Sequence, residues 1–326
     1  MNDRAQPGGA LRSVLRVPLL AAALAVLAVF YAAVARPWLH RWGATDAELS
    51  ARLPGDEIVP SARGQETRAI TIHAAASVVW QWVAQIGQDR AGFYSYQALE
   101  NLVGCEMPNV QRLVPELQRW AVGDKLWMYP PRKAGGAGFA TLAVFEPGRA
   151  LAFATRQIGT SPAEPPDASW AYVVQPIDQR SSRLLFRGRG AGGLRLGPAA
   201  FTVGVFEPMH FAMERRTMTS VKELAEGGRP SADRDAAQVV LWLVVFISFV
   251  VAGVLALVSR RPWRALAAVV LLGLSFQLLT LVQPHPALGG LVLALLALPA
   301  AWPRRRAAGG QPSPVFPEAR PRGRAA

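Results

Sequence analysis

The residues with the widest chemical repertoire lie together at positions 85–104, QIGQDRAGFYSYQALENLVG. Gln85, Gln88, Asp89, Arg90, Tyr94, Ser95, Tyr96, Gln97, Glu100 and Asn101 are set among Gly87, Gly92 and Phe93. Aromatic area beside a few hydrogen-bonding groups suits the mouth of a ligand pocket. There the apolar surface provides affinity and the polar groups provide orientation. Gln85, Arg90, Phe93, Tyr94, Tyr96, Glu100 and Asn101 are therefore candidate ligand contacts. Three residues are candidates for acid–base work if the fold buries them: Asp89, Glu100 and His210, the last one helical turn before Glu214. Burial raises a carboxyl's pKa and can bring it into the range where protons exchange near neutrality.

Each of these residues also has a plainer reading. Asp89 and Arg90 suit a structural hydrogen-bonding pair, and the tyrosines suit packing of the loop onto its neighbours. Glu100 with Asn101 suits a solvated or backbone-bonded pair, and His210 a packed or solvated histidine. Arg183, Arg187 and Arg189 share one strand face at period two. They read either as a row for an anionic head group or as the wet outer face of a sheet. Cys105, the one cysteine, reads as a small packed residue. It forms no intramolecular disulfide, and the four scattered histidines make no zinc-type cluster with it. No phosphate-cradling or dinucleotide-binding glycine pattern appears, so neither metal nor cofactor is expected.

The charge distribution narrows the setting. The chain of 326 residues is 51% hydrophobic and carries a net charge of +13. Residues 36–236 hold 23 Lys/Arg against 20 Asp/Glu, so the basic excess lies in the tails and one short loop. A nucleic-acid-binding domain carries its excess on the folded body, and that class is set aside. Here the excess flanks apolar runs, as topology determinants and lipid-headgroup contacts do.

Residues 17–35 are uncharged and predict a first transmembrane helix, about 28 Å long, after the basic tail 1–16. Ala33-Val34-Ala35 leaves a cleaved signal peptide as the alternative. Residues 236–259 predict a second span. The uncharged run from 265 is too long for one crossing and is broken by Gln283-Pro284-His285-Pro286. It predicts spans at 265–282 and 287–302, with 303–326 a disordered basic tail. With four spans, every basic segment falls on the cytoplasmic side of the inner membrane and residues 36–236 fall outside.

Between the spans, 36–64 reads as an irregular linker with one short helix. Trp38 and Trp42 would sit at the membrane interface. Residues 66–73 alternate as a strand, and Val79, Trp82, Val83 and Ile86 mark a helix ended by Gly87. Short helical turns are expected at 99–103 and 112–118, and a strand at 126–129. Two hairpins follow, 139–145 with 150–155 and 169–174 with 183–189. Glu207-Pro208 opens a long helix with an apolar stripe of Phe211, Met218, Val221 and Ala225, stopped by Gly227-Gly228.

Residues 65–227 resemble the SRPBCC superfamily, the START-like, polyketide cyclase-like helix-grip domains. The resemblance is carried by this element order, by QIGQDRAGFYSYQALENL, and by Gly123-Asp124 and Phe211-Ala212-Met213-Glu214. They look like a membrane-tethered bacterial branch of that group. The resemblance implies an α+β helix-grip fold, in which a curved antiparallel sheet wraps a long C-terminal helix, plus about four transmembrane helices. It also implies a hydrophobic-ligand cavity lined by that helix, which adds Glu214 to the candidate contacts. The expected partners are the lipid bilayer and a hydrophobic or lipid-like small molecule that is sensed, carried or presented. Two alternatives stay open: a cofactor-independent cyclase- or dehydratase-type enzyme, and a structural or interaction module whose cavity is filled by its own side chains.

Overall fold

The computed structural model describes residues 15–133, 135, 137–156, 164–191, 202–259 and 262–291. The fold is α+β and is built on one six-stranded antiparallel sheet. Its strands are β1 (Gly64–Ile72), β2 (Lys125–Trp127), β3 (Phe139–Glu146), β4 (Ala150–Thr155), β5 (Ala168–Pro176) and β6 (Ser182–Gly190), in the order β1-β6-β5-β4-β3-β2. The two hairpins pair as their sequence predicts, and β1 closes against β6 with Glu66 opposite Gly188 and Arg68 opposite Phe186. The helices are α1 (Arg16–His40), α2 (Asp46–Ser50), α3 (Ala76–Val83), α4 (Gln97–Leu102), α5 (Glu207–Ala225), α6 (Ala232–Val258) and α7 (Pro262–Val282).

Alternation gives the sheet two different faces. On one face Ile72, Phe153, Tyr172, Val174, Leu184 and Phe186 pack with Val79 and Val83 of α3 and with Met218, Val221 and Leu224 of α5. This is the main core, and α5 lies across it as the apolar stripe requires. Helix α3 stops at Val83, earlier than its apolar spacing suggests, and Ile86 is buried from the loop beyond. Of the expected turns, 99–103 becomes α4 and 112–118 contributes a 3₁₀ turn at Pro115–Gln118.

The opposite face is lined by Ala69, Ala150, Ala152, Ala171, Val173 and Leu185, and it is covered. Two expectations change here. The stretch expected to be an irregular linker folds over this face. Thr45 and Glu48 form a capping box that starts α2, and Gly55 approaches so closely that a Cβ would sit 2.4 Å from that of Ala152. The strand arginines are consequently not a wet outer row. Arg187 is buried on Asp56 and on the carbonyls of Glu48 and Ala51, and Arg183 binds Glu48. A guanidinium with its alkyl stem satisfies both the alanine-rich surface and the polar backbone laid over it.

Among the described residues, three helices are long and apolar enough to cross a membrane: Arg16–His40, Ala232–Val258 and Pro262–Val282. They pack through Ala23, Leu27, Ala252 and Val269, and Gly273 admits the Leu27 side chain. Close packing of small residues is how such helices associate. Arg16 donates to the Leu257 carbonyl at one end of the bundle. At the other end Gln283 donates to the Ala212 carbonyl, Arg215 to Leu281, and Arg216 pairs with Asp235. The expected span at 287–302 lies mostly outside the described residues. A second compact unit begins at Ala287.

Candidate functional site

The loop after α3 is shaped by its glycines. Gly87 and Gly92 bond each other's backbones at 3.1 and 2.8 Å, and Gly92 adopts φ +84° against the Asn109 backbone. Asn109 then accepts from the Tyr94 amide at 2.9 Å, and Ser95 Oγ donates to the Met213 carbonyl of α5. These bonds fasten the loop across the end of the sheet–helix gap.

That gap holds a cavity of about 420 Å³. Its walls are mainly apolar, from Phe93 and Met107 of the loop, Trp170, Tyr172 and Phe186 of the sheet, and Met209 and Met213 of α5. Arg36 and His40 of α1 form part of its rim. The volume falls within the range of small-molecule sites, roughly 300–1,000 Å³.

One end of the cavity is polar. Arg68 is 1% exposed, and its guanidinium lies beneath that wall between the rings of Phe186 and Phe211. It donates to the Leu39 carbonyl at 2.8 Å, to Glu66 at 2.6 Å and to Glu214. Glu66 lies over Gly188, where a Cβ would come within 2.8 Å of its carboxylate. Burial pushes the Glu214 carboxyl well above its usual range, with Arg68 acting against it, and burial pushes the His210 imidazole down. Beside this cluster Glu207 accepts from Arg36 at 2.7 and 2.9 Å and faces His40 at 3.6 Å. Burial works to raise the Glu207 carboxyl, but the Arg36 bonds and the nearby His40 outweigh it and hold it at about 2.

Glu100 lines the same cavity from α4. It is 3% exposed, its Oε2 has no hydrogen-bond partner, and burial lifts its pKa to about 7. Of the residues singled out from the sequence, the cavity thus brings together Phe93, Glu100, Arg189, His210 and Glu214, along with Cys105. Tyr94, Tyr96 and Asn101 line a second, smaller pocket against the start of α6, which shares Ser95 with the cavity. Gln85 is buried and bonds Tyr94 Oη, the Arg112 carbonyl and the Val114 amide. Arg90 stacks on Trp120 at 3.6 Å and donates to the Leu117 carbonyl. Asp89 is exposed and lines neither pocket.

Glu66 and Arg68 were not singled out from the sequence. Their signal was available: they occupy the Ile70–Ile72 face of β1 at period two, so a charged pair continues a buried stripe. Among the described residues Glu66, His210 and Glu214 also form a group able to hold a metal ion, with ligand atoms within 4.8 Å of one another. Arg68 already occupies one oxygen of each carboxylate there. No family model matches this chain, and no curated protein matches it.

Proposed function

We propose that the chain is a membrane-anchored, START-like helix-grip domain of the SRPBCC kind that binds a hydrophobic or lipid-like small molecule. The observation that carries this reading is the cavity between α5 and the sheet, with apolar walls, one polar end and a rim that includes the end of α1. A ligand leaving the bilayer along α1 meets that rim directly. Arg16 and Arg264 lie at the bundle end away from the domain, which supports a cytoplasmic position for that end and an extracytoplasmic one for the domain.

The test is extraction of the full chain, purified in lipid nanodiscs, followed by mass spectrometry of what accompanies it. Ala168→Phe adds a ring on the cavity wall. An apolar molecule enriched over empty nanodiscs and lost in Ala168→Phe is the expected result. Identical extracts from both proteins overturn the reading. A second reading, acid–base chemistry on the bound molecule without a cofactor, is favoured by Glu100 alone, whose carboxyl exchanges protons near neutral pH inside the cavity.

A further inference from the structure

The polar atoms of the cavity carry information about the head group of its ligand. Every arginine on or under the wall is committed. Arg36 forms two bonds to Glu207. Arg68 is shared among Leu39, Glu66 and Glu214. Arg189 donates to Gln65 and to the Val59 carbonyl. The buried side-chain atoms without a hydrogen-bond partner on this wall, among the described residues, are Glu100 Oε2, Glu214 Oε1 and His40 Nε2, and His40 already faces Glu207. Two carboxyl groups, Glu66 and Glu214, also flank the single guanidinium of Arg68. The wall therefore offers unpartnered acceptor oxygens and no uncommitted guanidinium.

We infer that the ligand is an apolar chain or ring with a hydrogen-bond-donating head, an alcohol or a primary amine, and that fatty acids and phosphate esters are disfavoured. The inference rests on the binding reading above and deepens it. A carboxyl oxygen accepts a hydrogen bond whether the group is ionised or neutral, so a hydroxyl or ammonium finds a partner at Glu100 or Glu214 in either state. An anionic head would be desolvated against acids, with no free cation to receive it.

The experiment is equilibrium dialysis of labelled dodecan-1-ol, dodecylamine and dodecanoate against nanodiscs carrying the full chain, with empty nanodiscs subtracted. The alcohol or the amine should bind at least about ten-fold more tightly than dodecanoate, a difference of about 1.4 kcal/mol. Which of the two leads identifies the head. Glu214→Gln and Glu100→Gln are the accompanying variants, and at least one should shrink the preference several-fold. The wild-type ranking stands by itself if Glu214→Gln fails to fold. Dodecanoate binding as tightly as the others, or a preference unchanged in both variants, overturns the inference and leaves apolar binding intact. No binding by any of the three overturns the binding reading as well.

Discussion

Replacing Glu100 with glutamine tests the electrostatics of the cavity most directly. The Glu100 carboxyl is buried, one of its oxygens is unpartnered, and burial alone moves its pKa from 4.5 to about 7. At 1.36 kcal/mol per pH unit this displacement corresponds to about 3 kcal/mol. The sign follows from proton counting. The folded chain holds the proton more tightly than the unfolded chain between pH 4.5 and 7, so stability falls as pH rises through that window. The contribution is fully present below the unfolded value and lost above about 7, where folding must bury a charge. Glutamine keeps the shape and removes the titration. Thermal unfolding midpoints of the full chain and of Glu100→Gln, in one detergent at pH 5 and pH 8.5, read the effect. The variant should gain on the wild type by roughly 5–10 °C between the two conditions, the shift expected for about 2–3 kcal/mol in a domain of this size. A gap that does not change with pH, or a wild type favoured at pH 8.5, would mean that Glu100 is charged and partnered in the fold, and the reasoning would fail.

Arg68→Met should be far more damaging than its single charge suggests, by about 3–5 kcal/mol, because it leaves buried Glu214 and half-buried Glu66 without a counter-charge. Adding Glu214→Leu should restore part of the loss in the same unfolding assay; no recovery in the double variant would refute the charge argument. Gly92→Ala should destabilise by about 1–3 kcal/mol, since a side chain would adopt a left-handed φ and meet the Asn109 amide at 2.7 Å. Faster limited proteolysis between 105 and 114 is the readout, and an unchanged cleavage rate would count against it. Leu39→Ala should cost about 2–5 kcal/mol, as a core leucine does, although it lies in a helix apolar enough to cross a membrane. A neutral result would show that α1 is a tether only.

Much of the fold was legible because single elements advertised themselves. Glu146-Pro147-Gly148 marked the β3–β4 turn, Glu207-Pro208 the start of α5, and the uncharged runs the apolar helices. The cover over the alanine face was not legible. Nothing local in 45–62 says that Gly55 will meet Ala152, since that contact depends on small residues on two strands being opposite a loop. The strand arginines were misread for the same reason, because period two identifies a shared face and leaves open what lies upon it. Of the cavity, Phe93, Glu100, His210 and Glu214 were visible as residue types in suggestive places. Glu214's partner Arg68 lies 146 positions away in the chain, so its place on the Ile70–Ile72 face marks it as buried but does not name its partner.

That pairing also changes what the first helix is for. A tether needs only length and apolarity, and α1 has both. Its last turn does more: Leu39 gives Arg68 a carbonyl, Arg36 holds Glu207, and Trp38 meets the Phe211 ring at 5.7 Å, with Trp42 beyond the helix end at 6.3 Å. Trp38 and Trp42, expected from the sequence at a membrane interface, contact α5 through Phe211. Because Arg68 needs the Leu39 carbonyl to be fully bonded, the polar end of the cavity is complete only when α1 is seated. Displacing α1 would remove one wall of the cavity and one acceptor of its buried guanidinium together. Cavity wall and apolar bundle are thus joined through named bonds.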